Sequence, residues 1–404
     1  MAAPSRLSAS VSWNAADDPG GHQLDPSLEI YDPNLQPVRT QYDFGVVAGF
    51  AAVPGVYYVR ISSASATRTL GQYNLQWSVS SQADYGFRDP EEYYGGVSDA
   101  TAMALADLTG DGRTDVVLAR ASSDPTPGII TVLDQQPDGT LPDGGFLTPP
   151  AKEYPSPYPM FPEDMSAGDI DGDGDADLAI AANGFVLTAR QVPGGLAQQR
   201  LDIPAFRLLL ADVTRDGIAD LVTTEGGGGL GVYVRTGSAG GFGAPRLVDP
   251  SPLGHLVATD VDADGDVDLV GVNNPENVAN DVVHVARQAG GVWFVTATEI
   301  GQGGIGGLGA GPLLDGGGAE VVLSPDYRGG DVEVRTVQAG GSLGPPTVLD
   351  PTPPGTFQTP NAGLVRLVDV TGDGRLDVVA AHNGRGAVEI APSTGTGVWS
   401  WPGG

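Results

Sequence analysis

Five times in 404 residues this chain writes a nine-residue segment of the form D-x-[DT]-x-D-G-x-x-D: DLTGDGRTD, DIDGDGDAD, DVTRDGIAD, DVDADGDVD and DVTGDGRLD. Each copy follows one apolar run (MALA, DMSAG, RLLLA, LVAT, VRLV) and precedes another (VVLAR, LAIAA, LVTTE, LVGVN, VVAAH). A sixth, eroded copy, GGLGAGPLLDGGGAEVVLS, keeps the flanks but only Asp315 and Glu320 of the acids. The repeat period is about 50 residues, and self-similarity at that length marks a repeat architecture.

Within a repeat the acidic segment joins two short β-rich runs, and a third and weaker fourth run follow, as in RLLLADV, DLVTTE, LGVYVRTG and APRLVDP. Helical spacing is sustained nowhere. Four strands per repeat and six repeats predict an all-β six-bladed propeller of four-stranded blades. A seventh blade would need a repeat that the chain does not display. The last repeat lacks a good fourth strand, so ring closure is expected to borrow one from YGFRDPEEYYGG, Tyr85 to Gly96.

Packed carboxylates repel unless a cation sits among them. Gly at position six permits a sharp bend, which folds positions one, three, five and nine around one point with the position-seven carbonyl. So many hard oxygens without imidazole or thiolate suit Ca²⁺ better than Zn²⁺ or Mg²⁺. An EF-hand would need Glu at position twelve, where these loops have Leu118, Ile180, Thr223, Gly271 and Ala380. The formal charge of −30, with Lys152 the only lysine, argues against nucleic-acid or anionic-membrane partners. The absence of cysteine excludes disulfides, and no run reaches membrane-span length.

The strand–loop–strand unit resembles the FG-GAP/VCBS repeat, the blade of integrin α-subunit propellers; SAGGFGAPRLV, Ser238 to Val248, resembles its Gly-Phe-Gly-Ala-Pro signature. That resemblance implies side-chain ligands at Asp107, Thr109, Asp111 and Asp115; at Asp169, Asp171, Asp173 and Asp177; and at Asp212, Thr214, Asp216 and Asp220. It also implies Asp260, Asp262, Asp264 and Asp268, and then Asp369, Thr371, Asp373 and Asp377. Carbonyl ligands would come from Arg113, Asp175, Ile218, Asp266 and Arg375, giving about five Ca²⁺ ions, with none expected at Asp315. The loops beginning at Asp169 and Asp260 have a fourth carboxylate and are expected to fill first.

Residues 1–80 lie outside the repeat and alternate like a β-sandwich: RLSASVSW, PSLEIYDP, VVAGFAAV, GVYYVRISS and YNLQWSVSS. They resemble the bacterial pre-peptidase C-terminal (PPC) domain, a non-catalytic module of secreted proteins. The usual opening strand of that domain would precede Met1, which implies either a truncated start or a strand supplied by an assembly partner. Residues 81–96 read as linker and ring-closing strand, and 97–404 as propeller. MAAPSRLSASVSW is not a signal peptide; a trimmed chain, secreted or at the cell surface, suits weak Ca²⁺ sites.

No catalytic constellation stands out. His22, His255, His284 and His382 form no metalloprotease pattern, and neither a nucleophile elbow nor a phosphate loop is present. Asp17, Asp18, His22 and Asp25 read as a polar loop. EYPSPYPMFPED presents Tyr154, Tyr158 and Phe161 on a Pro-stiffened loop, a place for a sugar or a protein to dock; Trp399 and Trp401 lie near the ring closure. The sequence reading is a calcium-stabilised binding or adhesion module for an extracellular glycan or protein. Its alternatives are a polysaccharide lyase on the same scaffold, or a structural subunit of an extracellular assembly.

Overall fold

The computed structural model describes residues 5–12, 26–31, 37–42, 46–52, 58–63, 74–80, 100–122, 127–136, 151–225, 230–273, 281–301, 304–315, 318–325, 332–349, 362–371, 373–382 and 387–396. The chain falls into two compact units, residues 1–92 and 93–402. The first contains β1 (Ser5–Ser12), β2 (Pro26–Tyr31), β3 (Pro37–Tyr42), β4 (Val46–Ala52), β5 (Tyr58–Ser63) and β6 (Asn74–Ser80). They form two three-stranded antiparallel sheets, ordered β4-β1-β6 and β3-β2-β5. Five of these strands match the apolar runs of the sequence. β3 is an addition, a polar segment recruited by pairing with β2. The polar loop of Asp17 to Asp25 lies outside the described residues.

The second unit is a six-bladed β-propeller. Its first sheet is β7 (Ala100–Ala106), β8 (Asp115–Arg120), β9 (Ile129–Leu133) and β10 (Lys152–Pro155). Its second is β11 (Pro162–Gly168), β12 (Asp177–Ala182), β13 (Phe185–Val192) and β14 (Gly195–Leu201). The third is β15 (Ala205–Ala211), β16 (Asp220–Glu225), β17 (Gly231–Arg235) and β18 (Arg246–Asp249). The fourth is β19 (His255–Thr259), β20 (Asp268–Asn273), β21 (Val282–Ala289) and β22 (Val292–Glu299). The fifth is β23 (Ile305–Gly311), β24 (Glu320–Pro325), β25 (Val332–Thr336) and β26 (Thr347–Leu349). The sixth, with three strands among the described residues, is β27 (Ala362–Val368), β28 (Asp377–His382) and β29 (Ala387–Ala391).

Every sheet of this unit is an antiparallel meander in chain order, and the first strands β7, β11, β15, β19, β23 and β27 pack successively against one another. The cores lie between sheets. Leu178, Ile180 and Ala182 of β12 join Val117, Ile130 and Val132 of the first sheet. Ala179 and Ala181, pointing the other way, join Leu208, Leu210 and Leu221 of the third. The two-residue period of a strand thus feeds two cores at once, and β12 and β16 are buried along their whole length. The fourth, fifth and sixth sheets join the series in the same way, through the clusters around Val222 and Leu269, Val270 and Leu323, and Val322 and Val378. The seam between the sixth and first sheets, with residues 85–96, Trp399 and Trp401, lies outside the described residues.

Register places the acidic loop identically in each blade. The last residue of the first strand pairs with position nine: Ala106 with Asp115, Gly168 with Asp177, Ala211 with Asp220, Thr259 with Asp268, and Val368 with Asp377. In the eroded fifth blade Gly311 pairs with Glu320.

Candidate metal centres

Each loop is wired by its own aspartates. At position one, Asp107, Asp169, Asp212, Asp260 and Asp369 accept the N–H of the position-six glycine at 2.7–2.9 Å. Those glycines, Gly112, Gly174, Gly217, Gly265 and Gly374, all have φ between 84° and 90°, a bend that glycine adopts without strain. At position five, Asp111, Asp173, Asp216, Asp264 and Asp373 accept the position-seven N–H at 2.8–3.0 Å. The position-seven residues Arg113, Asp175, Ile218, Asp266 and Arg375 therefore sit where the bend returns toward the second strand.

Position nine is the anchor. Asp115, Asp177, Asp220, Asp268 and Asp377 are at most 1% exposed. One oxygen of each accepts a loop N–H, from Leu108, Ile170, Thr214, Val261 and Val370 respectively. The other accepts an N–H at or just past the end of the third strand, from Gln135, Gln191, Gly237, Gln288 and Ser393. In the eroded copy Glu320 holds the N–H groups of Leu313 and Leu314, so the anchor survives there while the ligand acids are lost. Asp315 faces Arg375 of the next blade at 2.6 Å.

Burial raises the pKa of Asp115, Asp177 and Asp220 despite their backbone donors. For Asp268, burial outweighs the N–H groups of Gln288 and Val261, and with the charges of Asp262 and Asp264 pushes the pKa up to about 6. Asp107 behaves oppositely: burial acts upward, but the N–H groups of Gly112, Gly110 and Asp111 prevail and hold it low.

Two loops bring carboxylates to a common focus. Asp169, Asp171 and Asp177, and likewise Asp260, Asp262 and Asp268, each present one oxygen within 4.8 Å of the others. The sequence reading expected position five to join them. Instead Asp173 and Asp264 are exposed and turn to their position-seven N–H. Asp171 Oδ1, Asp260 Oδ1 and Asp262 Oδ1 are buried without a hydrogen-bond partner among the described residues. Orphaned carboxylate oxygens at a shared focus, with no imidazole or thiolate beside them, fit a hard divalent cation. In the three loops with Thr at position three (Thr109, Thr214, Thr371) a hydroxyl replaces that carboxylate, and Thr109 Oγ1 is likewise buried without a hydrogen-bond partner among the described residues. In one of them the Thr214 hydroxyl donates to Asp220 at 3.4 Å.

The extra carboxylate brings its own counter-charge. Arg190 Nη1 lies 3.2 Å from Asp171 Oδ2, and Arg287 Nη1 lies 3.2 Å from Asp262 Oδ2. Both arginines stand one residue past equivalent ladder pairs, Leu178–Ala189 and Leu269–Ala286. At that register the Thr-containing loops have Asp134, Thr236 and Pro392. Four carboxylates plus a guanidinium carry the same formal charge as three carboxylates. The first loop, with Thr109, has a guanidinium of its own in Arg113 beside Asp111, so it remains less negative than the Asp169 loop.

Neighbouring loops are tied together. Ala219 N–H donates to Asp169 O at 2.7 Å, Ala319 N–H to Val261 O at 3.0 Å, and Gln288 Nε2 to Val213 O at 2.7 Å. The Gln191 amide, its nitrogen facing two carbonyls, donates to Leu108 O and Ala176 O at 3.2 Å each. Arg215 pairs with Asp266 across the next seam at 3.0 Å.

The aromatic stretch is placed as follows. Tyr158 packs edge-on against Phe185 at 6.5 Å between centroids, inside the core of the first two blades. Phe161 is 55% exposed. Tyr154 is half-buried in the wall of a cavity of about 760 Å³ between those blades. Sequence reasoning missed the buried contact between His284 Nδ1 and Asp249 Oδ2, 2.7 Å long, which joins the third and fourth blades.

Residues 107–180, from the first loop to within β12, match the FG-GAP-like repeat family. No curated protein matches the sequence. Among solved structures, a lectin of Agrocybe aegerita that specifically recognises non-reducing terminal N-acetylglucosamine is similar with a TM-score of 0.56 and 18% identity, over 94% of this chain and 89% of that one. The Dos1 propeller gives a TM-score of 0.44 and 10% identity, over 74% of this chain and 78% of that one. At such identities the likeness is one of fold.

Proposed function

We propose that this chain is a calcium-stabilised binding module that displays a propeller to a carbohydrate ligand, secreted or at a cell surface. The observation that carries the calcium reading is the pair of three-carboxylate foci at Asp169/Asp171/Asp177 and Asp260/Asp262/Asp268, with their orphaned buried oxygens. Asp173 and Asp264 complete these sites if they leave their position-seven N–H. The loops beginning at Asp107, Asp212 and Asp369 supply three further, weaker sites, for about five ions. Bound Ca²⁺ screens the like charges and locks each loop between its first and second strands.

The carbohydrate reading is supported by the fold shared, over most of both chains, with a lectin, and by a polar groove with an aromatic wall between the first two blades. Residues 1–80, with their PPC-like wording, serve as a non-catalytic companion module.

Calorimetric titration of chelator-treated protein with Ca²⁺ tests the first part, with dissociation constants expected at about 10⁻⁴ to 10⁻³ M. For a site of about 1 mM, 10 mM Ca²⁺ stabilises by about 1.4 kcal/mol through linkage. Identical melting in Ca²⁺ and in chelator would sink the calcium reading. Silence across a glycan array in Ca²⁺ would sink the carbohydrate reading.

A further inference from the structure

We infer that the groove between the first two blades is a binding site for a neutral saccharide, with Tyr154 as its stacking platform; this rests on the carbohydrate reading above. One wall is β10, which contributes Lys152, Glu153 and Tyr154. The other is the second acidic loop, through Asp173 and Asp175, together with the β13–β14 hairpin through Gly194 and Gly195. The groove is half open to solvent, and its volume of about 760 Å³ is in the range of small-ligand pockets and admits a mono- or disaccharide.

The platform is preorganised. A Cβ placed on Gly195 would meet Tyr154 Cε1 at 3.4 Å, so the bare glycine backbone lies against the ring. The chain after Tyr154 is clamped to the first blade: Ser156 N–H donates to Gly128 O, Ser122 N–H to Met160 O, and Met160 N–H to Ser122 Oγ, at 2.7–2.8 Å. Gln198 Nε2 adds a 3.1 Å bond to Pro155 O from the second blade. A ring held this firmly loses little entropy when a ligand settles on it.

The polar groups select the ligand class. With Asp173 given to the calcium site, Glu153 and Asp175 offer two carboxylates against one ammonium, Lys152, which already faces Asp134 at 3.5 Å. Carboxylates accept hydrogen bonds from sugar hydroxyls and repel uronates, sulfates and phosphates. The C–H face of a pyranose covers the ring while its hydroxyl edge meets the acids. Nucleic acids and acidic peptides are disfavoured by the same charges.

The test uses the full chain in Ca²⁺. Calorimetry is run against neutral disaccharides, N-acetylglucosamine disaccharide among them, with a trimer of galacturonic acid as acidic probe. Tyr154→Ala is expected to weaken neutral-sugar binding tenfold or more. Because Tyr154 also touches core, Glu153→Ala and Lys152→Ala are measured beside it; both positions are exposed, so they should weaken binding severalfold with unchanged melting. Phe161→Ala, outside the groove, should bind as the parent does. Neutral-sugar binding that survives both Tyr154→Ala and Glu153→Ala within twofold would overturn the groove while leaving the carbohydrate reading standing. Preference for the galacturonate trimer would overturn the ligand class. A parent chain that binds no sugar would overturn both readings together.

Discussion

Arg190 reaches back from β13 to Asp171, and the 3.2 Å contact puts a fixed cation beside the focus where an exchangeable one would sit. Arg287 stands to Asp262 in the same way two blades later. In the ion-free chain the guanidinium offsets part of the carboxylate repulsion. Once Ca²⁺ arrives, it competes for Asp171 and Asp262.

Replacing these arginines separates the two effects. Arg190→Met and Arg287→Met should tighten Ca²⁺ at their sites severalfold and lower ion-free stability by at most about 1 kcal/mol each, since the pairs are partly solvated. Calorimetry and chelator melts of the same variants measure both. Unchanged Ca²⁺ affinity would show that the arginines serve structure alone.

Positions five and nine should respond oppositely to calcium. Asp177→Ala strands the N–H groups of Ile170 and Gln191 and should cost about 3 kcal/mol with or without Ca²⁺. Asp173→Asn, exposed, should cost well under 1 kcal/mol in chelator and reveal itself as weaker Ca²⁺ binding. Denaturant unfolding in both conditions distinguishes the pair.

The pH response of Asp268 follows from its burial. Its folded pKa, about 6, lies above the ordinary 3.8, so between these values the folded state holds a proton that the unfolded chain has released. Its contribution to ion-free stability is therefore greatest below about pH 4 and declines as pH rises through 6. Stability of the parent relative to Asp268→Asn, measured without divalent ions, should fall from pH 4 to pH 7, and added Ca²⁺ should cancel the fall. A relative stability that rises with pH would contradict the burial argument.

Position four carries removable strain. Ala263 has φ 60°, where the first two loops place Gly110 and Gly172. Ala263→Gly should stabilise by about 0.5–1 kcal/mol, the left-handed cost of alanine less the entropy of glycine. Gly265→Ala should destabilise, because φ is 87° and the new methyl meets the Arg215 guanidinium. Thermal melts settle both signs.

Much of the fold could be read from spacing alone. Apolar runs on both sides of DIDGDGDAD announced β11 and β12, and the glycine at position six announced the bend, because both depend on residues near in sequence. The N–H groups of Gln191 and Gln288 that anchor position nine, and the arginine beside position three, were not legible. They depend on which third-strand residue the ladder brings opposite the loop. The same holds for His284 and Asp249, 35 residues apart and meeting only because two sheets face each other. Tyr158 looked like Tyr154 in sequence; a neighbouring sheet supplied Phe185 to cover it, and no local pattern predicts that.

Because Leu178 and Ala179 serve different neighbours, no single sheet owns the hydrophobic material that holds it. Excising one repeat would leave two raw faces and no finished interior. Such a piece should not fold as an isolated peptide, and the disc should gain or lose its order in units larger than a blade.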